Sequence, residues 1–131
     1  MGFGISRETL KATLEIIPTP WIAKTEEEIY SADIITAATF YSTLVDWTKG
    51  KRLSIKVEST LDQDVLIQVI GNNVDSTTKA TDINSPLSCP AGGNISVGLA
   101  WDDWIPYVGV EITTAVAPTT GTLTVKVTVQ E

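Results

Sequence analysis

The run GTLTVKVTVQ, residues 121–130, sets Leu123, Val125, Val127 and Val129 on one parity and Thr122, Thr124, Lys126 and Thr128 on the other. Successive side chains of a strand point to opposite faces, so this text specifies a strand with one buried and one wet face. KRLSIKVEST repeats the pattern, with Leu53, Ile55 and Val57 against Ser54, Lys56 and Glu58. A fold built on these runs is a layered β-structure.

The rest of the chain from Tyr30 onward agrees. Residues 29–41 are rich in β-branched and aromatic types. DVLIQVIGNN predicts a strand over 64–70 ending in the turn residues Gly71, Asn72 and Asn73. NISVGLA predicts another short strand. WIPYVGVEITTAV and GTLTVKVTVQ read as a final pair joined by residues 117–121, a connection of hairpin type. Residues 71–94 read as the longest loop, being rich in Asn, Ser, Thr, Asp, Gly and Pro. About seven short strands separated by turns predict an all-β chain, an antiparallel β-sandwich of jelly-roll type. Residues 1–28 differ. Ile5, Leu10, Leu14 and Ile17 fall near helical spacing, Ser6 can cap, and Pro18 ends the run. Ala12–Ile17 also alternates as a strand would. The expected division is therefore an N-terminal arm, 1–28, helical or extended, and a sandwich, 29–131.

Composition narrows the function. A chain of 131 residues that is 43% hydrophobic and 19% charged suits one domain with its own core. Cys89 is the single cysteine, so an internal disulfide is impossible, and it is expected to be a small buried or half-buried residue before Pro90, with a reactive thiol as the lesser reading. A net charge of −7, with Lys51–Arg52 as the one adjacent basic pair, offers no footprint for nucleic acid. No apolar run approaches the roughly 18 residues of a membrane span. MGFGISRETLK lacks the apolar core of a signal peptide, and its match to the short myristoylation pattern carries little weight.

Catalytic chemistry is poorly supplied. The chain has no histidine, which removes the commonest general base and metal ligand. Neither a P-loop nor GxGxxG occurs. Asp102 and Asp103 would point apart in a strand and could both be wet in a turn. Asp62 and Asp64 flank a turn. Asp62, Asp64 or Asp102 could join loop carbonyls around calcium, but solvated turn aspartates are the simpler expectation, and no cofactor or metal is assigned. The tryptophans offer more. Trp47 and Trp104 are expected to pack at opposite ends of the sandwich, while Trp101 could be buried or could stack on a sugar. WDDW, residues 101–104, is expected to be the turn into a strand, its aspartates wet and one or both tryptophans buried.

The strand texts KRLSIKV, WIPYVGVEI and APTTGTLTV, within residues 30–131, resemble small jelly-roll sandwiches encoded among bacteriophage structural genes. That resemblance implies a non-enzymatic virion protein: a capsid decoration or minor capsid protein, homo-oligomeric, assembled in the host cytoplasm on a phage particle. It carries over no catalytic residue. The partners it implies are further copies of the chain and a major capsid or other virion protein. Alternatives are a carbohydrate-binding module or receptor-binding tip using Trp101, Asp102, Asp103 and Trp104, and a filament subunit assembling by strand exchange. The assembly arm would present Ile5, Leu10, Leu14, Ile17 and Trp21, too many large apolar groups for a solvated tail.

Overall fold

The computed structural model describes residues 25–131. Ile5, Leu10, Leu14, Ile17 and Trp21 of the expected arm lie outside them. Nine strands follow in order: β1 (Glu27–Ala32), β2 (Thr39–Tyr41), β3 (Val45–Asp46), β4 (Arg52–Ser59), β5 (Val65–Asn72), β6 (Thr81–Cys89), β7 (Asn94–Leu99), β8 (Tyr107–Thr113) and β9 (Leu123–Gln130). A 3-10 turn, Trp101–Asp103, precedes β8.

The strands form two sheets, ordered β1-β9-β4-β7 and β2-β8-β5-β6, with β3 also pairing β8. Every pairing is antiparallel. With β2 and β3 taken as one interrupted strand, this is the eight-stranded jelly roll. The chain changes sheet at each connection except β5–β6, so consecutive amphipathic strands face each other across the core. Alternation in the sequence becomes rows of aliphatic side chains: Leu53 lies opposite Val129, Ile55 opposite Val127 and Val57 opposite Val125. Ile67 opposite Ile112 and Val69 opposite Val110 line the facing sheet. All ten are at most 4% exposed. Burial of each contributes roughly 1.5–3 kcal/mol, which fixes the register, since a one-residue slip would turn the whole set outward.

The interruption between β2 and β3 has a local cause. Ser42 Oγ accepts the Val110 N–H at 2.9 Å in place of a backbone partner. The chain then crosses Gly109, where a Cβ would stand 2.5 Å from Leu44 Cδ2 and 2.8 Å from Ser42 Oγ. Only glycine admits that approach. Thr43, lifted out of the sheet, donates its N–H to Ile29 O at 3.1 Å and so ties this edge to β1 of the other sheet.

Two expectations are corrected. Residues 117–121 do not close a hairpin: β8 and β9 belong to different sheets, and this segment crosses between them with Pro118 buried. Adjacent amphipathic strands leave the choice open, because pairing side by side and packing face to face both bury one parity. Residues 71–94 are not one long loop, since β6 occupies Thr81–Cys89. That strand does not alternate because it is an exposed edge, broken by a register shift, by Asn84 at φ 61° and by Pro86.

Candidate functional site

One end of the sandwich gathers the three tryptophans of the described residues, Trp47, Trp101 and Trp104. Trp47 follows β3 and is fully buried. Its N–H donates to Pro106 O at 2.8 Å, which places it against the start of β8. Gly50 makes room for the ring: a Cβ there would lie 1.8 Å from Trp47 Cδ1 and 2.8 Å from Val129 Cγ1. The Trp47 Nε1–H is buried without a partner among the described residues, a cost of about 1–3 kcal/mol offset by the burial of the ring.

Above Trp47 stands the WDDW turn. Asp103 N–H bonds to Ala100 O at 3.0 Å, and Asp103 Oδ2 reaches back to accept the Ala100 N–H at 3.1 Å. Trp104 Nε1 donates to Trp47 O at 2.7 Å. Trp47 and Trp104 therefore share one end of the molecule instead of closing opposite ends. The expected burial within WDDW is also corrected: Trp104 is 46% exposed and Trp101 74% exposed. Trp47, supplied by the turn after β3 in the same sheet as β8, already fills the end, so the two later rings have no interior left to occupy. Of the aspartates, Asp102 is exposed, while Asp103 is half-buried and committed to its cap.

Beside Trp101 runs a shallow groove of about 440 Å³ on the outer face of the four-stranded sheet. Its floor is one cross-strand row, Gly98–Ser54–Thr128, with Ala100 at the rim. The groove exists because this row is small while the next carries Lys56 and Lys126. Those lysines face each other directly and are balanced by two carboxylates, Glu58, 3.7 Å from both, and Glu26, 3.8 Å from Lys126. Gly98 was not singled out from the sequence. In NISVGL it reads as a lapse in a strand, and its neighbours Ser54 and Thr128 are distant in the chain.

Asp62 and Asp64 are used at the opposite end. Asp62 Oδ1 accepts the Thr119 N–H at 2.9 Å and Oδ2 accepts the Thr119 hydroxyl. These bonds hold Asp62 below the usual carboxylate range. Asp64 Oδ1 accepts the Ala91 N–H at 2.9 Å. The two aspartates thus brace different loops. Among the described residues no three acidic, cysteine or histidine side chains converge as a metal site. Cys89 is fully buried, as expected, and burial followed by the Asp64 charge pushes its thiol pKa up.

No protein-family model matches the chain, and no curated relative does. Solved structures do resemble it. The PBSX exported protein XepA superposes with a TM-score of 0.59 at 9% identity, over 80% of this chain and 36% of that one. The chain thus spans about a third of XepA's length. The SPBc2 prophage-derived protein YomS gives 0.52 at 14% identity, over 82% and 96% of the two chains. A protein of Bacillus endospore appendages, described as disulfide-linked pili, gives 0.51 at 13%, over 84% and 89%. At these identities the likeness is one of fold. The chain is a small jelly-roll sandwich, a fold that it shares with these proteins.

Proposed function

We propose that the protein is a non-enzymatic structural component of a phage particle, a capsid decoration or minor capsid protein that acts as a homo-oligomer. The observation that carries this reading is the placement of its exposed apolar groups. Ile35 and Val116 project at one end of the sandwich, from loops bridged by Thr114, and Trp101 and Trp104 project at the other. Tyr41, Leu66 and Leu87 add exposed apolar groups along the five-stranded sheet, and a domain that offers such groups at both ends and on its side suits packing among neighbours. The net charge of −7 would keep densely arrayed copies soluble.

Residues 1–26, the expected arm less Glu27 and Glu28, which pair with β9 in the sandwich, serve as the docking arm in this reading, with Ile5, Leu10, Leu14, Ile17 and Trp21 covering a neighbouring copy or the capsid lattice. The test adds the purified full-length protein to particles that lack it and follows co-sedimentation. Saturable binding, lost in Leu14→Asp/Ile17→Asp while thermal unfolding is unchanged, supports the proposal. A protein that never sediments with particles ends it. Electron micrographs showing fibres would favour the filament alternative, but disulfide linkage as in the endospore pili does not suit the buried Cys89.

A second reading has its own observation. Trp101 is exposed on a braced turn that directly follows Ala100, at the rim of the Gly98–Ser54–Thr128 groove, and an exposed aromatic ring at the mouth of a hydroxyl-lined groove suits a sugar. A glycan array with Trp101→Ala decides it: no glycan bound, or binding unchanged by the substitution, removes this role.

A further inference from the structure

A two-sheet sandwich has four edges, and three of those described here are blocked. β1 carries a register shift, bonds through Ile29 O to Thr43, and presents Glu26, Glu27 and Glu28. The β2–β3 edge is broken at Ser42–Leu44. β6 has its register shift, the left-handed Asn84, Pro86 and the charge of Asp82, and Gln68 Nε2 bonds to its Ile83 and Asn84 carbonyls at 3.1 and 3.0 Å. These are the devices by which edge strands avoid pairing with other chains.

β7 has none of them. It pairs with β4 in unbroken register from Asn94 to Leu99, and its other side has no strand partner among the described residues. Its text, NISVGL, holds no proline and no charge. Alternate N–H and C=O groups of such a strand point to the open side. Ile95 and Val97 point toward the core but stay only partly buried, as does Ile83 across the gap. A strand laid beside β7 would satisfy the backbone groups and cover these three side chains together.

We infer that the occupant is β7 of a second copy, joined antiparallel about a two-fold axis so that the two four-stranded sheets become one eight-stranded sheet. Charge selects this partner. A chain of net −7 meets itself most easily along a neutral strip, and β7 is an uncharged edge while β1 and β6 carry acidic residues. The strand is also self-complementary. A register centred on Ser96 sets Asn94 opposite Gly98 and Ile95 opposite Val97, which keeps polar residues on one face and apolar ones on the other. A single six-residue pairing is small beside the roughly 1,200 Å² of a stable interface, so the dimer is concentration-dependent. This inference deepens the homo-oligomeric reading above and rests on it for its setting.

Sedimentation velocity of the full-length chain over a wide concentration range, together with hydrogen exchange, tests it. The expected result is a reversible monomer–dimer equilibrium in which β7 amides gain protection as concentration rises. Ser96→Lys and, separately, Gly98→Lys abolish association; a Cβ at Gly98 meets nothing within 4 Å, so the fold tolerates the change. Each moves the net charge from −7 to −6, which would favour non-specific association, so a loss cannot come from overall repulsion. The same change on the blocked edge, Ser85→Lys, leaves the dimer intact. Association unaffected by the β7 lysines, or lost equally with Ser85→Lys, overturns the inference. So does β7 protection that is independent of concentration, which would mean that residues 1–24 of the same chain cover the edge. Dimerisation by another surface with particle binding retained refutes this edge but not the virion role; β7 dimers that ignore particles do the reverse.

Discussion

The two ends of the sandwich are closed by different chemistry. At the tryptophan end a single buried ring, Trp47, fills the space, and one indole N–H from Trp104 latches the WDDW turn over it. At the opposite end the loops after β1, β4, β6 and β8 are plugged by Ile34 and Leu61, then stitched by hydroxyls and carboxylates to backbone. Thr114 Oγ1 accepts the Ala38 N–H at 2.9 Å and donates to Thr36 O at 2.7 Å. Asp62 holds Thr119, Asp64 holds Ala91, and Thr60 Oγ1 accepts the Thr122 N–H at 2.8 Å. The stitched end uses its polar side chains internally. The tryptophan end leaves two aromatic rings, Trp101 and Trp104, outward, where the stitched end leaves the aliphatic Ile35 and Val116.

The contrast predicts a graded set of responses. Trp47→Ala has the largest effect, about 3–5 kcal/mol by urea unfolding, because the ring is wholly buried and its neighbours cannot collapse into the gap. A loss below about 1 kcal/mol would show that this end is not closed by the ring. Thr114→Val comes next at about 1–3 kcal/mol, since it leaves the Ala38 N–H and Thr36 C=O without their partner in a site 2% exposed. If the valine were neutral, hydrogen bonding would not be what holds the stitched end.

Trp104→Phe is smaller, about 0.5–1.5 kcal/mol. It removes the donor to Trp47 O, but that carbonyl keeps the Gly50 N–H at 3.1 Å. Hydrogen exchange at residues 101–104 should quicken in this variant while the β4 and β9 amides do not change. Asp62→Asn gives the smallest change and the one with a pH signature. Thr119 favours the ionised form, so the folded pKa lies below the unfolded one. The stabilisation is therefore present above the ordinary carboxylate pKa of about 3.9 and is lost as pH falls through the depressed folded value. Thermal unfolding from pH 7 to pH 2 should show the variant slightly less stable at neutral pH and converging with the wild type in acid. Curves that remain parallel down to pH 2 would remove Asp62 from the account.

Much of the layered fold was legible in particular residues. Leu53, Ile55 and Val57, and Leu123 through Val129, announce their buried parity, and both runs lie where the alternation puts them. β6 was illegible because an exposed edge strand has no buried parity to display, and its pairing depends on β5, whose own text was clear. The groove was illegible for a related reason: Ser54, Gly98 and Thr128 become neighbours only through strand pairing between distant segments.

What the sequence determined by itself is period and polarity: which segments extend, which face of each is apolar, and that one sandwich must bury those faces together. Tertiary structure alone decided the partners. β8 and β9 pack across the core instead of pairing beside it, because each completes a different sheet, β8 between β2 and β5 and β9 between β1 and β4. It also decided which tryptophan is inside. Trp47, Trp101 and Trp104 are equally apolar as letters, but the end of the sandwich has room for one ring, and Trp47 occupies it because Gly50 clears the space.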